Sequence, residues 1–401
     1  MSLPERRRPA IPLPAVVSIL VALLVAATGC TGTSPSTGPA PSGGGLPGTA
    51  SSSSASSAQG GQGTVAGAPA GLAALVADLY AGRPLTATAS PAAAAALAAR
   101  RPAAVPAGAR ATTGSWRGEQ VAAVSAGDDV TLAVGPAWRV VGGWWPSLGV
   151  GTPSLGTGPR WVLAIGSDAR PGEDQTRTRA DTLQVVGTDG SGGGGVMGMA
   201  RDLWVPLSTG GAGKINSALV FGGPRAQLQT VRGVTGLPIE GYVLLGFASF
   251  TRVVDELGGI PVVIPKPVTV GPDRTLLAAG AHTLTGAQAL AYARERKSLP
   301  DGDFGRSRHQ GELLVAAAVK ARLAGPLGLP GALTTLGRHA ASDLSAEQIL
   351  TYAARFHTLD PLKVGRGVAQ GAFGWAGQQS IVVLGPQARA LFGDFRDGNL
   401  R

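Results

Sequence analysis

Among the charged residues between Asp168 and Asp202 are three carboxylates, Asp168, Asp181 and Asp202, interleaved with three guanidiniums, Arg170, Arg179 and Arg201. Arginine forks grip phosphate oxygens two at a time, and aspartates hold hard divalent cations, so this set suits a phosphate or pyrophosphate with its metal. The same six residues would also make a solvated salt-bridge network capping a sheet, and by themselves they leave both readings open. Two more polar clusters follow, Arg294-Glu295-Arg296-Lys297 and the run from Asp301 to Gln310. The first closes a predicted helix, where the helix dipole favours cations whatever their task. The second opens the next helix. Arginine there opposes the dipole, so a bound anion or a carboxylate partner is expected beside Arg306.

Other chemistries drop out. The chain has no Walker P-loop, no G-x-S-x-G elbow and no H-E-x-x-H motif, and its four histidines, His282, His309, His339 and His357, are too scattered to read as a zinc site. Its single cysteine, Cys30, lies in a leader-like segment, which removes thiol catalysis and any intrachain disulfide. Carboxylates and arginines remain. They are the equipment of Mg²⁺-assisted phosphoryl transfer, in which positioning and charge neutralisation do most of the catalysis.

The charges need a scaffold to converge. Three apolar runs, Trp161 to Gly166, Thr182 to Gly187 and Val196 to Ala200, read as strands of a buried sheet. A Ser-Gly-Gly-Gly-Gly turn makes a hairpin of the last two. If the longer loop from Asp168 to Ala180 also reverses the chain, all six charges gather at one sheet edge. Downstream, helix and strand signals alternate, with capping boxes at Thr285/Gln288 and Ser345/Gln348, a long helix from Arg306 to Leu323 and a last strand at Ser380 to Leu384. The expected fold is α/β, a central mixed sheet sandwiched between helices in α-β-α layers, preceded by a small α+β accessory region.

The N-terminal third reads as separate segments. A basic head, Arg6 to Arg8, precedes an apolar run of about 13 residues that ends in Ala-Ala-Thr-Gly-Cys. Residues 1–30 are therefore expected to be a signal peptide with a lipobox, and Cys30 the lipidated residue that anchors the protein to the outer face of the cell membrane. Residues 31–65 are expected to form a Ser/Gly/Pro-rich tether, 66–148 an accessory region with a small antiparallel meander, 149–159 a linker, and 160–401 a catalytic domain able to fold alone. Trp116, Trp138, Trp144 and Trp145 are read as packing residues of the meander. The net charge of +10 favours an anionic partner, and the export signal argues against nucleic acid.

The motifs GSDAR (Gly166 to Arg170), RADT (Arg179 to Thr182), ARD (Ala200 to Asp202), KIN (Lys214 to Asn216), FGGP, VVDELGGI, LTGAQALAYARERK and GDFGR (Gly302 to Arg306) occur in this order. From Trp161 to about Phe395 the chain thereby resembles the LytR-CpsA-Psr family, exported enzymes that transfer glycopolymers from a polyprenyl-pyrophosphate carrier to peptidoglycan. The resemblance implies that Asp168 and Asp181 are the metal-associated catalytic carboxylates, with Mg²⁺ as the metal. It implies that Arg179, Arg201, Arg294, Arg296 and Arg306 bind the pyrophosphate, that Arg201 and Arg306 also serve catalysis, and that Gln310 belongs to the pocket. Arg170, in the same motif, is grouped with the pyrophosphate arginines. His309 departs from the pattern, since many relatives have arginine there, and Arg308 is the candidate substitute. The lipid anchor also departs from the usual transmembrane helix. Two alternatives are a pyrophosphatase acting on polyprenyl-pyrophosphate lipids and a non-catalytic wall protein that binds anionic polymers.

Overall fold

The computed structural model describes residues 64–401. The expected signal peptide, Cys30 and nearly all of the tether lie outside these residues. The tether ends earlier than expected, because Val65 is buried in the accessory core.

The accessory region opens with α1 (Ala70–Tyr80) and α2 (Pro91–Leu97), the latter capped by Ser90, whose hydroxyl accepts the Ala93 N–H. Five antiparallel strands follow in sequential order, β1 (Arg110–Trp116), β2 (Glu119–Ala126), β3 (Asp129–Val134), β4 (Arg139–Trp145) and β5 (Val150–Ser154). The expected turns at Gly127-Asp128 and Gly135-Pro136 join β2 to β3 and β3 to β4. Trp116, Trp138 and Trp145 are buried, as packing residues should be.

The linker expected over 149–159 is corrected in two ways. Val150–Ser154 is the fifth strand of the meander, and the residues after it are clamped by Arg355, whose guanidinium donates to the carbonyls of Leu155, Gly156 and Gly158. Nor are the two regions independent, for beside a core of its own the accessory region shares a second one with the larger part. Trp116, Val121 and Leu132 pack in one cluster with Leu329, Leu333 and Leu350, and the Trp116 indole donates to the Leu344 carbonyl at 2.9 Å. Small sheets seldom bury enough apolar area alone, and this one completes its burial against two helices of the larger layer.

That larger part contains, in chain order, β6 (Arg160–Ser167), β7 (Ala180–Thr188), β8 (Gly194–Met199), β9 (Trp204–Pro206), β10 (Ala212–Lys214), α3 (Ser217–Thr235), β11 (Gly241–Gly246), α4 (Phe247–Glu256), β12 (Ile260–Ile264), β13 (Val268–Val270), β14 (Thr275–Leu277), β15 (Gly280–Leu284), α5 (Gly286–Arg294), α6 (Asp303–Leu323), α7 (Leu329–His339), β16 (Ala341–Ser342), α8 (Ala346–Thr358), β17 (Val364–Ala369), β18 (Gly371–Ala376), β19 (Gln379–Leu384) and α9 (Pro386–Asp394). The central sheet has the order β16-β11-β6-β7-β8-β17 and is mixed, β6, β7 and β8 running antiparallel while β11 joins β6 and β17 joins β8 in parallel. Alternation along β6 sends Trp161, Leu163 and Ile165 into the core shared with α3 and α9. Val162 and Ala164 face the other way, toward the side covered by α4, α6, α7 and α8. The result is the expected α-β-α sandwich.

One local expectation holds and one changes. The helices read at Lys214 to Val220 and Pro224 to Val234 are the two halves of α3, broken at Gly223, whose φ of 72° leaves the helical region, the first half starting at Ser217. The strand read at Ser380 to Leu384 does not enter the central sheet but pairs with β18 in an outlying hairpin, and the sixth central strand is β17. Both expected capping boxes form, at Thr285/Gln288 and Ser345/Gln348.

Candidate functional site

The loop after β6 does reverse the chain, so the end of β6, the start of β7 and the end of β8 share one sheet edge. Gly166 pairs with Thr182 and Ser167 with Ala180, which leaves Asp181 as an extra, unpaired residue on β7. Such a bulge re-aims one side chain out of the ladder, and here that side chain is a carboxylate beside the site. Asp168 is fixed differently. Its N–H donates to the Arg179 carbonyl at 2.9 Å, and its carboxylate accepts the Arg179 N–H at 2.8 Å, closing the polar loop at its base.

Arg201, at the end of β8, is the hub. It donates to Asp181 at 2.5 Å and lies 3.9 Å from Asp202 and 4.0 Å from Asp303. Burial opposes its charge, but the Asp181, Asp202 and Asp303 carboxylates together outweigh burial and raise its pKa. Its Nε–H is nevertheless buried with no acceptor in hydrogen-bond range among the described residues. An unmet guanidinium N–H among charges is a donor waiting for an oxyanion. The KIN motif supports this corner. Lys214 pairs with Asp202 at 3.0 Å, the Ile215 N–H donates to the Leu203 carbonyl, and the Asn216 N–H donates to the Arg201 carbonyl. Burial works against the Asp202 charge too, but Lys214 and Arg201 prevail and lower its pKa.

From the other side comes the N-terminus of α6. The carboxylate expected to compensate its arginines is Asp303, whose side chain is only 8% exposed and lies 3.4 Å from Arg306 and 3.6 Å from Arg296. Sequence reasoning quoted Asp303 within a motif but assigned it no role. The signal that marks it is an acidic first-turn residue three places before an arginine, i to i+3 on one helix face. Arg306 is almost wholly buried, and burial, with Arg201 and Arg296 adding repulsion, lowers its pKa despite Asp303 and Asp181. A charge held at such cost is eased by an arriving anion. α6 reaches this position because β8 makes room for it: a Cβ on Gly198 would sit 2.2 Å from the Ser307 hydroxyl.

Next to this cluster opens a cavity of about 560 Å³ between the sheet and α4, α6, α7 and α8. Val162, Ala164, Val243, Phe250, Leu314 and Ala318 are among the apolar residues that line it, while Asp181, Arg294, Arg306 and Gln310 line its polar end. Arg294 is stacked on the Phe247 ring at 4.4 Å, and the Gln310 amide donates to the Ala293 carbonyl at 3.0 Å. Along α6 the lining runs from Arg306 to Ala324, a length of ~27 Å at 1.5 Å per residue. No apolar run in the sequence sets these residues apart from ordinary core.

The structure thus gathers Asp181, Arg201, Arg296 and Arg306 around Asp303 and places Arg294 and Gln310 on the cavity wall. Arg179 is exposed at the rim, its side chain in no ion pair or hydrogen bond among the described residues. Arg170 is not drawn in, since its side chain is exposed and its backbone is held by Glu173, whose carboxylate accepts the Arg170 N–H and whose N–H donates to the Arg170 carbonyl. His309 does not replace an arginine. It is buried, stacked on Tyr292 with ring centroids 4.0 Å apart, and burial lowers its pKa. Arg308 does not substitute for it either, being turned to Asp301 at 2.8 Å.

Among the described residues no group of three or more metal-ligating side chains forms a closed cage. The donor chemistry still suits Mg²⁺, which takes one or two carboxylates and completes its shell with water and phosphate oxygens. One oxygen of Asp168 and one of Asp181 accept no hydrogen bond within the described residues, which leaves both open to a cation.

The LytR_cpsA_psr family model matches residues 150–388. Curated relatives include the polyisoprenyl-teichoic acid–peptidoglycan teichoic acid transferase TagU of Bacillus mycoides, 31% identical over 194 residues that make up 48% of this chain and 62% of the relative. TagU of Bacillus subtilis is 34% identical over 158 residues, 39% of this chain and 50% of the relative. The chain thus spans less than two thirds of these relatives. Among solved structures, B. subtilis TagV superposes with a TM-score of 0.52 at 24% identity, covering 60% of this chain and 98% of TagV. A structure of TagT bound to LI-WTA superposes with a TM-score of 0.50 at 24% identity, covering 61% of this chain and 92% of TagT. With the family model spanning more than half of it, the chain belongs to the LytR-CpsA-Psr family.

Proposed function

We propose that this protein transfers a glycopolymer from a polyprenyl-pyrophosphate carrier to peptidoglycan. The observation that carries the reading is the long apolar cavity closed at one end by Asp181, Arg294, Arg306 and Gln310. It matches a molecule with an apolar tail and a multiply charged head, and relatives named as teichoic acid transferases support the direction of transfer. The tail lies along α6. The pyrophosphate meets Arg201, Arg294, Arg296 and Arg306, with Arg179 at the rim, and takes up the unmet Arg201 Nε–H. A hydroxyl of the acceptor glycan attacks the phosphorus bonded to the glycopolymer, forming one P–O bond as the P–O–P bridge breaks. Polyprenyl phosphate leaves with its new charge among the arginines, and a phosphodiester links polymer to acceptor. The hydroxyl proton passes to an aspartate. Asp168 is the freer of the two, because Arg201 already holds Asp181. Asp168 and Asp181 would hold Mg²⁺, which when bound supplies charge neutralisation at the pyrophosphate. A lipid on Cys30 would keep the protein at the outer membrane face where its carrier resides.

The test is binding of a short-chain polyprenyl-pyrophosphate sugar, with Mg²⁺-dependent release of polyprenyl phosphate measured with and without acceptor. Neutral substitution of Arg201, Arg294 or Arg306 removes a charge-assisted contact of ~1.5 to 3 kcal/mol and weakens binding about 10- to 150-fold. Asp168→Asn and Asp181→Asn leave binding in place and abolish transfer. Transfer untouched by either substitution leaves only a polymer-binding protein. Release that needs no acceptor makes it a pyrophosphatase.

A further inference from the structure

The β18–β19 hairpin is joined to the charged corner yet takes no part in holding the carrier. It leaves the central sheet directly after β17, whose last residue, Ala369, pairs with Met199 at the end of β8 beside Arg201. Its second strand is tied to the site by the Val382 N–H, which donates to the Asp202 carbonyl at 2.9 Å, and Val382 itself is buried in the main core. Its first strand is left open. Phe373 is 70% exposed and Trp375 74% exposed. Two residues apart on a strand, they share one face, ~6.6 Å from each other along the chain. That face is turned toward the site, because the Phe373 ring meets the ring of Phe304 at 5.8 Å, and Phe304 follows Asp303 directly.

Both rings stand mostly open to solvent at the rim of a transfer site, and among the described residues Phe373 meets only the Phe304 ring while Trp375 meets none. The segment from Gly371 to Leu384 carries no charged residue. Gln378, Gln379 and Ser380 add neutral hydrogen-bonding groups at the turn. Surfaces that bind anionic membranes join such rings to lysine and arginine, which are missing here. Flat aromatic faces bordered by neutral amides suit pyranose rings, whose C–H faces stack on aromatics while their hydroxyls reach the amides.

We infer that Phe373 and Trp375 form a stacking platform for the acceptor, a chain of pyranose units, and deliver its hydroxyl to the pyrophosphate held by Arg201 and Arg306. The inference rests on the transferase reading for the identity of the acceptor, but the platform can be tested without it. Soluble peptidoglycan strands are titrated into the protein without carrier, following tryptophan fluorescence and calorimetry. Trp375→Ala, whose side chain leaves little buried surface behind, weakens this binding about tenfold, the effect of one lost aromatic contact, and Trp375→Tyr restores most of it. In the transfer assay the same loss is read as a raised acceptor KM with kcat and carrier affinity held. Strand binding that depends on Trp375 in a protein that transfers nothing upholds the platform and overturns the transferase. Strand binding equal in wild type and Trp375→Ala overturns the platform, as does a loss confined to carrier affinity or to sedimentation with vesicles of anionic phospholipid.

Discussion

Ala318 lines the cavity two thirds of the way along its α6 wall, twelve residues beyond Arg306 and therefore ~18 Å from the pyrophosphate end. Ala318→Phe puts a ring into open space, so it plugs the passage without overpacking a filled core. Beyond the plug lie six more residues of lining, to Ala324, or ~9 Å of tail. Each buried methylene contributes ~0.8 kcal/mol, so a loss of only three carbons' worth of burial removes ~2.4 kcal/mol, about 50-fold in affinity. The assay is binding of a series of prenyl pyrophosphates of increasing chain length to wild type and variant. Wild-type affinity rises with length until the tail fills the cavity. In the variant it stops rising at ~18 Å, while carriers shorter than that bind both proteins equally. Equal weakening of all lengths, or of none, would refute the placement of the tail along α6.

Two other outcomes follow from the charges. Asp303→Asn leaves Arg306 buried among like charges and lowers apo stability by about 3 kcal/mol. Inorganic pyrophosphate restores most of the lost Tm, whereas a purely structural Asp303 would give a loss that pyrophosphate does not repair. His309, with its pKa lowered by burial, stays neutral in the folded protein while the unfolded chain takes up a proton near the ordinary imidazole value. Its contribution to stability is complete above that value and is lost as pH falls from it toward the lower folded pKa. His309→Phe keeps the ring on Tyr292 and flattens this decline, read as a smaller drop in urea midpoint between about pH 7.5 and 5.5.

Four strands of the central sheet, β6, β7, β8 and β11, both capping boxes and most charged residues of the site were legible in the sequence, because each depends on local period, turn chemistry or side-chain type. Trp161 to Gly166 could only be a buried strand, and an arginine on the first turn of α6 required an anion or a carboxylate nearby. Tertiary structure decided the rest. That Asp303 is the carboxylate serving Arg201, Arg296 and Arg306 at once follows from where α6 lands on β8. That Arg170 stays out follows from the turn to Glu173. His309 stacks on Tyr292 because α6 packs against α5, which no spacing reveals. β5 looked like linker because Gly, Thr, Pro and Ser form a strand only when a neighbour such as β4 supplies the hydrogen bonds. The cavity was the least visible feature, since Leu314 or Ala318 reads the same whether it faces a packed neighbour or a void, and only the spacing of the helices from the sheet separates the two.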